Sequence, residues 1–225
     1  MAKPSVRPGL LDGNALRTQR TRERILAASL DLFNASGEAR VTTGMIADAL
    51  NISPGNLYYH FRNKDQIVEE LFARFEERIG LEPPGAAHGA EAIEDLWLYL
   101  HLMFEAIWDY RFLYRNLDDV LARNRRLREH FLRIVERKSA AVSGLCEGLV
   151  RTGAMRARPA EIRALAANAM VVATYWLNFL AIGVRREAES QALGSGVYHV
   201  MALFAPYLAG EARRHFDKLS RRYID

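Results

Sequence analysis

Apolar residues recur every three to four positions along most of the chain, and no stretch of any length alternates at the two-residue period of a strand. A helix begins at about Arg17 and buries Ile25, Ala28, Leu32 and Phe33 on one face; residues 34–40 then form a connection through Gly37. Ile46, Ala47 and Leu50 mark a short second helix that stops at Asn51, a residue that enters the left-handed region at little cost. Ile52 plugs the corner from below, Ser53 is placed to cap the next helix, and Pro54 takes its first position, where a missing N–H costs nothing. In that helix, residues 54–60, only Leu57 and Phe61 are anchors. Asn63 caps a further helix to about Ile79, with Ile67, Leu71, Phe72 and Phe75 as its stripe.

Two prolines and two glycines in residues 82–89 (EPPGAAHG) break the helical pattern and mark a boundary. Beyond it, residues 90–109, 110–123, 126–151, 159–184 and 191–223 each follow the helical period. The expected fold is all-α: a three-helix domain at residues 17–64 after an N-terminal arm (1–16), a linking helix (65–82), and a bundle of five or six helices (83–225).

Charge sharpens this division. Residues 1–64 hold nine Lys and Arg against five Asp and Glu, while the remainder holds 22 of each, so the whole net charge of +4 sits in the first domain. That is the footprint of a phosphate-binding module joined to a neutral one. Arg17, Arg20, Arg22 and Arg24 add positive charge near the expected helix start, where it opposes the helix dipole and suits a phosphate partner. Lys3 and Arg7, on the arm, could touch a DNA backbone but are expected to be solvated. The chain has one cysteine, Cys146, among Val142, Leu145 and Leu149; this excludes a disulfide framework and points to a buried, inert thiol and a cytoplasmic home. No apolar segment follows the start, so no signal peptide is expected.

The chemistry concentrates between Thr42 and Lys64. Two short helices around a tight corner make a helix-turn-helix, whose second helix enters the DNA major groove with its N-terminus. Gly55 and Asn56 are poor helix formers, and Gly55 leaves the backbone bare for close approach to another surface. Tyr58, Tyr59 and His60 place three polar-tipped rings within one turn. The run TRERILAASLDLF (21–33), Gly37, Thr42, Thr43, Ile46, Ala47 and the LYxHFxxK pattern of Leu57, Tyr58, His60, Phe61 and Lys64 resemble the DNA-binding domain of the TetR family of transcriptional regulators. The likeness covers residues 18–66, with one departure: Asn51 stands where many members carry glycine. Thr42 and Thr43, at a helix start, are expected to donate to phosphate, with Tyr58, His60 and Lys64 holding the DNA backbone; Ser53, Asn56 and Tyr59 are expected to face base edges.

In the second domain Trp97, Phe104 and Trp108, followed by Tyr110, Phe112 and Tyr114, form an aromatic concentration that serves either a core or a ligand cavity. The family resemblance implies a cavity for a small-molecule effector, with Trp97, His101, Phe104, Trp108, Tyr114, Tyr175 and Asn178 as its expected ligand-binding residues. Within the family, the runs SPGNLYYHF, WLYLHL and YRFLYRNL resemble the regulators of polyhydroxyalkanoate genes, which implies a fatty-acid or acyl-coenzyme A effector. Arg115, Arg123, Arg125, Arg126 and Arg128 are a solvated face or an anionic handle for that effector. His101 and Glu105, at i and i+4, offer two metal ligands without a third nearby, so a hydrogen-bonded pair is expected, with no metal and no cofactor.

Residues 164–184 carry no charge and are long enough to span a membrane, but Asn168, Thr174 and Asn178 interrupt them, and Tyr175 and Trp176 lie mid-segment. A helix buried on nearly all sides at a subunit interface is expected instead, paired with residues 197–208 to make a four-helix homodimer contact. No nucleophile signature or phosphate-cradling glycine loop is present; the G-S-G at Gly194–Gly196 is taken as a bare turn. The expected function is a ligand-responsive repressor of a palindromic operator in double-stranded DNA, not an enzyme. Alternatives are a soluble helical enzyme and a membrane-tethered adaptor.

Overall fold

The computed structural model describes residues 13–80, 90–183 and 189–224. The arm residues Lys3 and Arg7 and the boundary segment 82–89 lie outside the described residues. The chain divides into two compact units, residues 1–71 and 72–225.

In the first unit, α1 (Gly13–Ser36) starts four residues earlier than its apolar face requires. Arg17 to Arg24 therefore lie one to three turns inside the helix, not at its start, so the dipole argument for them falls away. Gly37, at φ 82°, ends α1 in a conformation open to glycine, and its N–H returns to Phe33 O at 2.9 Å. A 3-10 turn (Glu38–Arg40) leads to α2 (Thr43–Ala49), capped by Thr42, whose Oγ1 accepts from Met45 N at 3.2 Å. Asn51 adopts φ 52°, which makes the corner without glycine. Ser53 Oγ then accepts from Asn56 N at 3.2 Å to cap α3 (Pro54–His60). At α4 (Lys64–Ile79), Asn63 Oδ1 accepts from Gln66 N and Gln66 Oε1 accepts from Arg62 N, both at 2.9 Å. The core of this unit is Ile25, Leu26, Phe33, Val41, Ile46, Leu57, Phe61 and Ile67, all fully buried.

The boundary between the units falls within α4, whose second half contributes Phe72, Phe75 and Ile79 to the second core. There follow α5 (Ala90–Asp109), α6 (Arg111–Arg115), α7 (Leu117–Arg123), α8 (Arg125–Arg151), α9 (Pro159–Ala181), α10 (Glu189–Phe204) and α11 (Gly210–Ile224). α9 packs against α6, α8 and α10, while α5 packs against α10 and α11. The expected helix 110–123 is broken at Asn116 (φ −128°, ψ 33°), and the expected helix 191–223 is broken by a 3-10 turn, Ala205–Tyr207, at Pro206, which has no N–H to continue the ladder. The freed backbone is used elsewhere: Arg156 N donates to Tyr207 O at 2.8 Å and Ala209 N to Ala154 O at 2.9 Å.

One expectation changes here. The G-S-G is no turn; it lies inside α10, and the bare backbone of Gly196 is where α10 meets Phe104 of α5 and Trp176 of α9. α9 is the one described helix long and apolar enough to cross a membrane, yet it is not buried on all sides of the chain. Ile162, Leu165, Ala169, Ala173, Trp176 and Leu177 face the core, and Val171, Tyr175, Phe179 and Ile182 are 45–78% exposed on the opposite face.

A Cβ at Gly196 would stand 2.4 Å from Phe104 Cε1 and 2.9 Å from Trp176 Cδ1. Gly196→Ala should therefore lower stability by about 1–3 kcal/mol in chemical denaturation. Gly144→Ala on α8, where nothing lies within 4 Å, should be neutral or stabilising by about 0.5–1 kcal/mol.

Candidate nucleic-acid interface

The geometry of α3 follows from which of its side chains the first core takes. Leu57 and Phe61 are fully buried, so the rest of the helix is turned outward: Ser53, Pro54, Gly55 and Asn56 are exposed, as are Tyr58 (50%) and Tyr59 (76%). Large rings left this open on a charged domain are unusual where packing alone is at work. Thr43 Oγ1 and Tyr58 Oη lie 3.0 Å apart, which joins the start of α2 to α3 and points both hydroxyls at the same exterior. Thr42 is exposed and keeps a hydroxyl proton to donate after its cap bond.

Gly55 has no internal reason to be glycine. A Cβ there would meet nothing nearer than Ser53 Oγ at 3.9 Å. Exposed Met45 (43%) is a neighbour on α2 that the sequence pattern left unnoticed, because methionine at helical spacing reads as core.

His60 is half-buried against Tyr59, with ring centroids 5.1 Å apart. Burial, and then the Arg22 charge, hold its pKa below the ordinary histidine value, so the ring is neutral at neutral pH and serves as a hydrogen-bonding group, not a fixed cation. Arg22, expected at a phosphate, is committed inside the fold. Its Nη1 donates to His60 O at 2.8 Å, it pairs with Glu70, and its guanidinium lies 4.1 Å from the Phe61 ring centroid. Arg17, Arg20 and Arg24 remain exposed.

Lys64, expected at the DNA backbone, is also engaged inside the unit. Its ammonium donates to Glu38 O at 2.9 Å and Val41 O at 3.1 Å and lies 2.9 Å from Glu38 Oε1 as an ion pair. Glu38 is 1% exposed, so the lysine neutralises a buried carboxylate and ties α4 to the turn before α2. It helps to hold the helix-turn-helix together from inside.

Among the described residues, the seven expected effector residues of the second unit take different positions. Trp97 and His101 lie against each other, centroids 4.4 Å apart, and burial outweighs Glu105 in lowering the His101 pKa. Phe104 is consumed in the Gly196 crossing. Tyr114 is buried beside Phe75 and Phe131, and burial pushes its phenol pKa up. Asn178 Nδ2 donates to Tyr114 O at 3.2 Å, a tie between α9 and α6. Tyr175 is corrected outright: it faces outward with the apolar stripe of α9. Trp108 is half-buried beside Arg111, an arginine absent from the expected set. A small apolar cleft lies elsewhere, among Ile93, Leu96, Cys146, Leu149, Met201, Phe204 and Phe216. Burial, and then Glu147, push the Cys146 thiol up to about 12, as an inert thiol requires.

The model for bacterial regulatory proteins of the tetR family matches residues 25–71, and the model for the bacterial transcriptional repressor TetR matches residues 66–216. The chain belongs to the TetR family. A TetR-family transcriptional regulator from Marinobacter aquaeolei is 36% identical, with a TM-score of 0.79 over 90% of this chain and 98% of that one. The TetR family regulator PfmR from Thermus thermophilus shares the fold at 18% identity, with a TM-score of 0.62 over 80% of this chain and 97% of the other. Among curated proteins, the HTH-type transcriptional regulator AcrR of Shigella flexneri is 36% identical over 62 residues, and UidR of Escherichia coli 32% identical over 69. These matches span 28% and 31% of this chain and only 29% and 35% of the relatives.

Breaking the Lys64 staple should cost stability. Lys64→Ala removes the ammonium that pairs with the buried Glu38 carboxylate, and the loss expected in thermal or urea unfolding is about 2–3 kcal/mol, discounted because Lys64 is itself 24% exposed. Adding Glu38→Gln to Lys64→Ala should recover part of it; a fully stable single variant would sink the assignment.

Proposed function

We propose that this TetR-family protein is a homodimeric, effector-released repressor that binds a palindromic operator in double-stranded DNA and acts in the cytoplasm. The observation that carries the proposal is α3: a helix anchored by two buried residues, with its N-terminal turn, a bare glycine and two open tyrosines facing away from its own core. Ser53, Gly55, Asn56 and Tyr59 approach base edges in the major groove, where the Asn56 amide offers adenine a paired donor and acceptor. Thr42, Thr43, Tyr58 and neutral His60 bond the phosphates on either side. The positive field comes from exposed Arg17, Arg20 and Arg24.

One such helix reads too few base pairs for a unique operator, so two copies must be held about 34–36 Å apart, one turn of DNA. The outer stripe of α9 supplies the means. Val171, Tyr175, Phe179 and Ile182, spaced four, four and three residues apart, form a continuous apolar face that water disfavours and a second copy would cover. α4 is the lever for control, because its first half belongs to the first unit and its second half to the second. An effector that prefers a half-separation unlike that of DNA weakens operator binding by its difference in affinity for the two states and no more. The effector is proposed to be a small molecule with an apolar or acyl body, bound in the second unit.

Two variants test the scheme. Gly55→Ala should leave the unfolding free energy unchanged or raise it by up to about 1 kcal/mol, while operator affinity falls by about 1–3 kcal/mol in mobility-shift titrations; equal affinity would remove α3 from the interface. Tyr175→Glu should sediment as a monomer and bind the palindrome about 10²–10⁴-fold more weakly, the loss of bivalency alone. A Tyr175→Glu protein that stays dimeric would place the subunit contact elsewhere.

A further inference from the structure

The inward-turned Lys64 fixes two surface loops at once. Its ammonium donates to Glu38 O at 2.9 Å and to Val41 O at 3.1 Å, so the turn before α2 is held against the start of α4. The loop between α3 and α4 is also fixed from its own side: Gln66 Oε1 accepts from Arg62 N, and Asn63 Oδ1 accepts from Gln66 N, both at 2.9 Å. Each of these loops carries one arginine. Arg40 ends the 3-10 turn, between the two residues whose carbonyls Lys64 binds, and Arg62 lies two residues before Lys64 itself.

Both arginines are exposed, and among the described residues neither guanidinium has an ion pair or a hydrogen bond. The exposed carboxylate of Asp65, three residues from Arg62, pairs with neither. Other surface arginines do find carboxylates, such as Arg125 with Glu129 and Arg213 with Asp217, both at 2.9 Å. The two free ones stand at matched places. Arg40 is two residues before Thr42, at the start of α2, and Arg62 is two residues after His60, at the end of α3, so each lies within about 7 Å of chain of a group assigned to a DNA phosphate. The Thr43 and Tyr58 hydroxyls, 3.0 Å apart, join those two helices on the same exterior. A guanidinium on a fixed loop can meet a phosphate with two parallel N–H bonds.

We propose that Arg40 and Arg62 form a phosphate clamp, gripping the DNA backbone from the two loops that flank the helix-turn-helix, and that Lys64 is the positioning residue that holds those loops together. This rests on the reading of α3 as the helix that enters the groove. It adds what the other phosphate contacts lack: Thr42, Thr43, Tyr58 and neutral His60 offer hydrogen bonds without charge, whereas Arg40 and Arg62 displace counterions from the phosphates. The clamp sets affinity and register and leaves base preference to Ser53, Asn56 and Tyr59. Lys64 acts at one remove, through the backbone that carries Arg40.

The test uses the full-length protein and two duplexes, an operator enriched from a random library and one of unrelated sequence, in mobility-shift titrations over a range of salt. Arg40→Gln and Arg62→Gln should each lower the slope of log affinity against log salt by about 0.9 for every bound subunit. Each should weaken both duplexes by a common factor, about five- to tenfold per subunit at about 0.1 M salt, so the preference for the operator is kept. Both variants should melt with the parent protein. Arg40→Lys and Arg62→Lys, which keep the charge but not the fork, should keep the slope and lose part of the affinity. Neutral methylphosphonates placed one at a time along the operator then locate the contacts: one position should weaken the parent but not Arg62→Gln, and another the parent but not Arg40→Gln. An unchanged slope in either glutamine variant, an equal fall in Arg126→Gln at an exposed site on α8, or the lack of any such position would overturn the clamp and leave the reading of α3 intact. A parent protein that enriches no sequence and binds no duplex would overturn the repressor reading, and the clamp with it.

Discussion

A helix of seven residues does not hold its shape in water, because nucleation costs more than so few hydrogen bonds return. α3 is such a helix, and the first unit is built to stabilise it from outside. Ser53 caps its first turn, Pro54 fixes its entry, Leu57 and Phe61 sink into the core, and Arg22 holds the carbonyl of His60 at its last residue. Each device acts on the inner side or at an end. Apart from the Tyr58 hydroxyl, which meets Thr43, the outer side carries little of this support, which a surface needs if it is to fit a different molecule.

The same economy explains two residues that changed role. Arg22 and Lys64 are cations in a positively charged domain, and both turn inward. A buried carboxylate at Glu38 demands a partner, and Lys64 is within reach across the gap between α4 and the turn before α2. The outward positive field of the first unit then falls to its exposed cations, Arg17, Arg20 and Arg24 on α1 together with Arg40 and Arg62. Affinity and fold stability are thus carried by different members of one residue class, told apart by a few ångströms of position.

In the second unit the controlling constraint is close packing. α10 can meet α5 and α9 only because Gly196 has no side chain, and that contact takes up Phe104 and Trp176 as structural residues. Tyr114 and Asn178 are similarly used to join α6 to α9. Much of the aromatic wealth of α5 and α6 therefore goes into the core.

Much of this was legible along the chain. The helix-turn-helix corner was, because its signals are local: a left-handed Asn51, a capping Ser53 and a proline at the first position act within a few residues of themselves. The same holds for the all-helical class, which follows from apolar period. The breaks at Asn116 and Pro206 were missed because apolar spacing continues across them, while the backbone there finds its partners in distant segments such as residues 154–156. Which way Lys64, Arg22 and Tyr175 face could not be read from sequence. A charge or a ring carries no direction until the elements around it are packed, and direction separates a phosphate contact from an internal staple and a cavity wall from a subunit face.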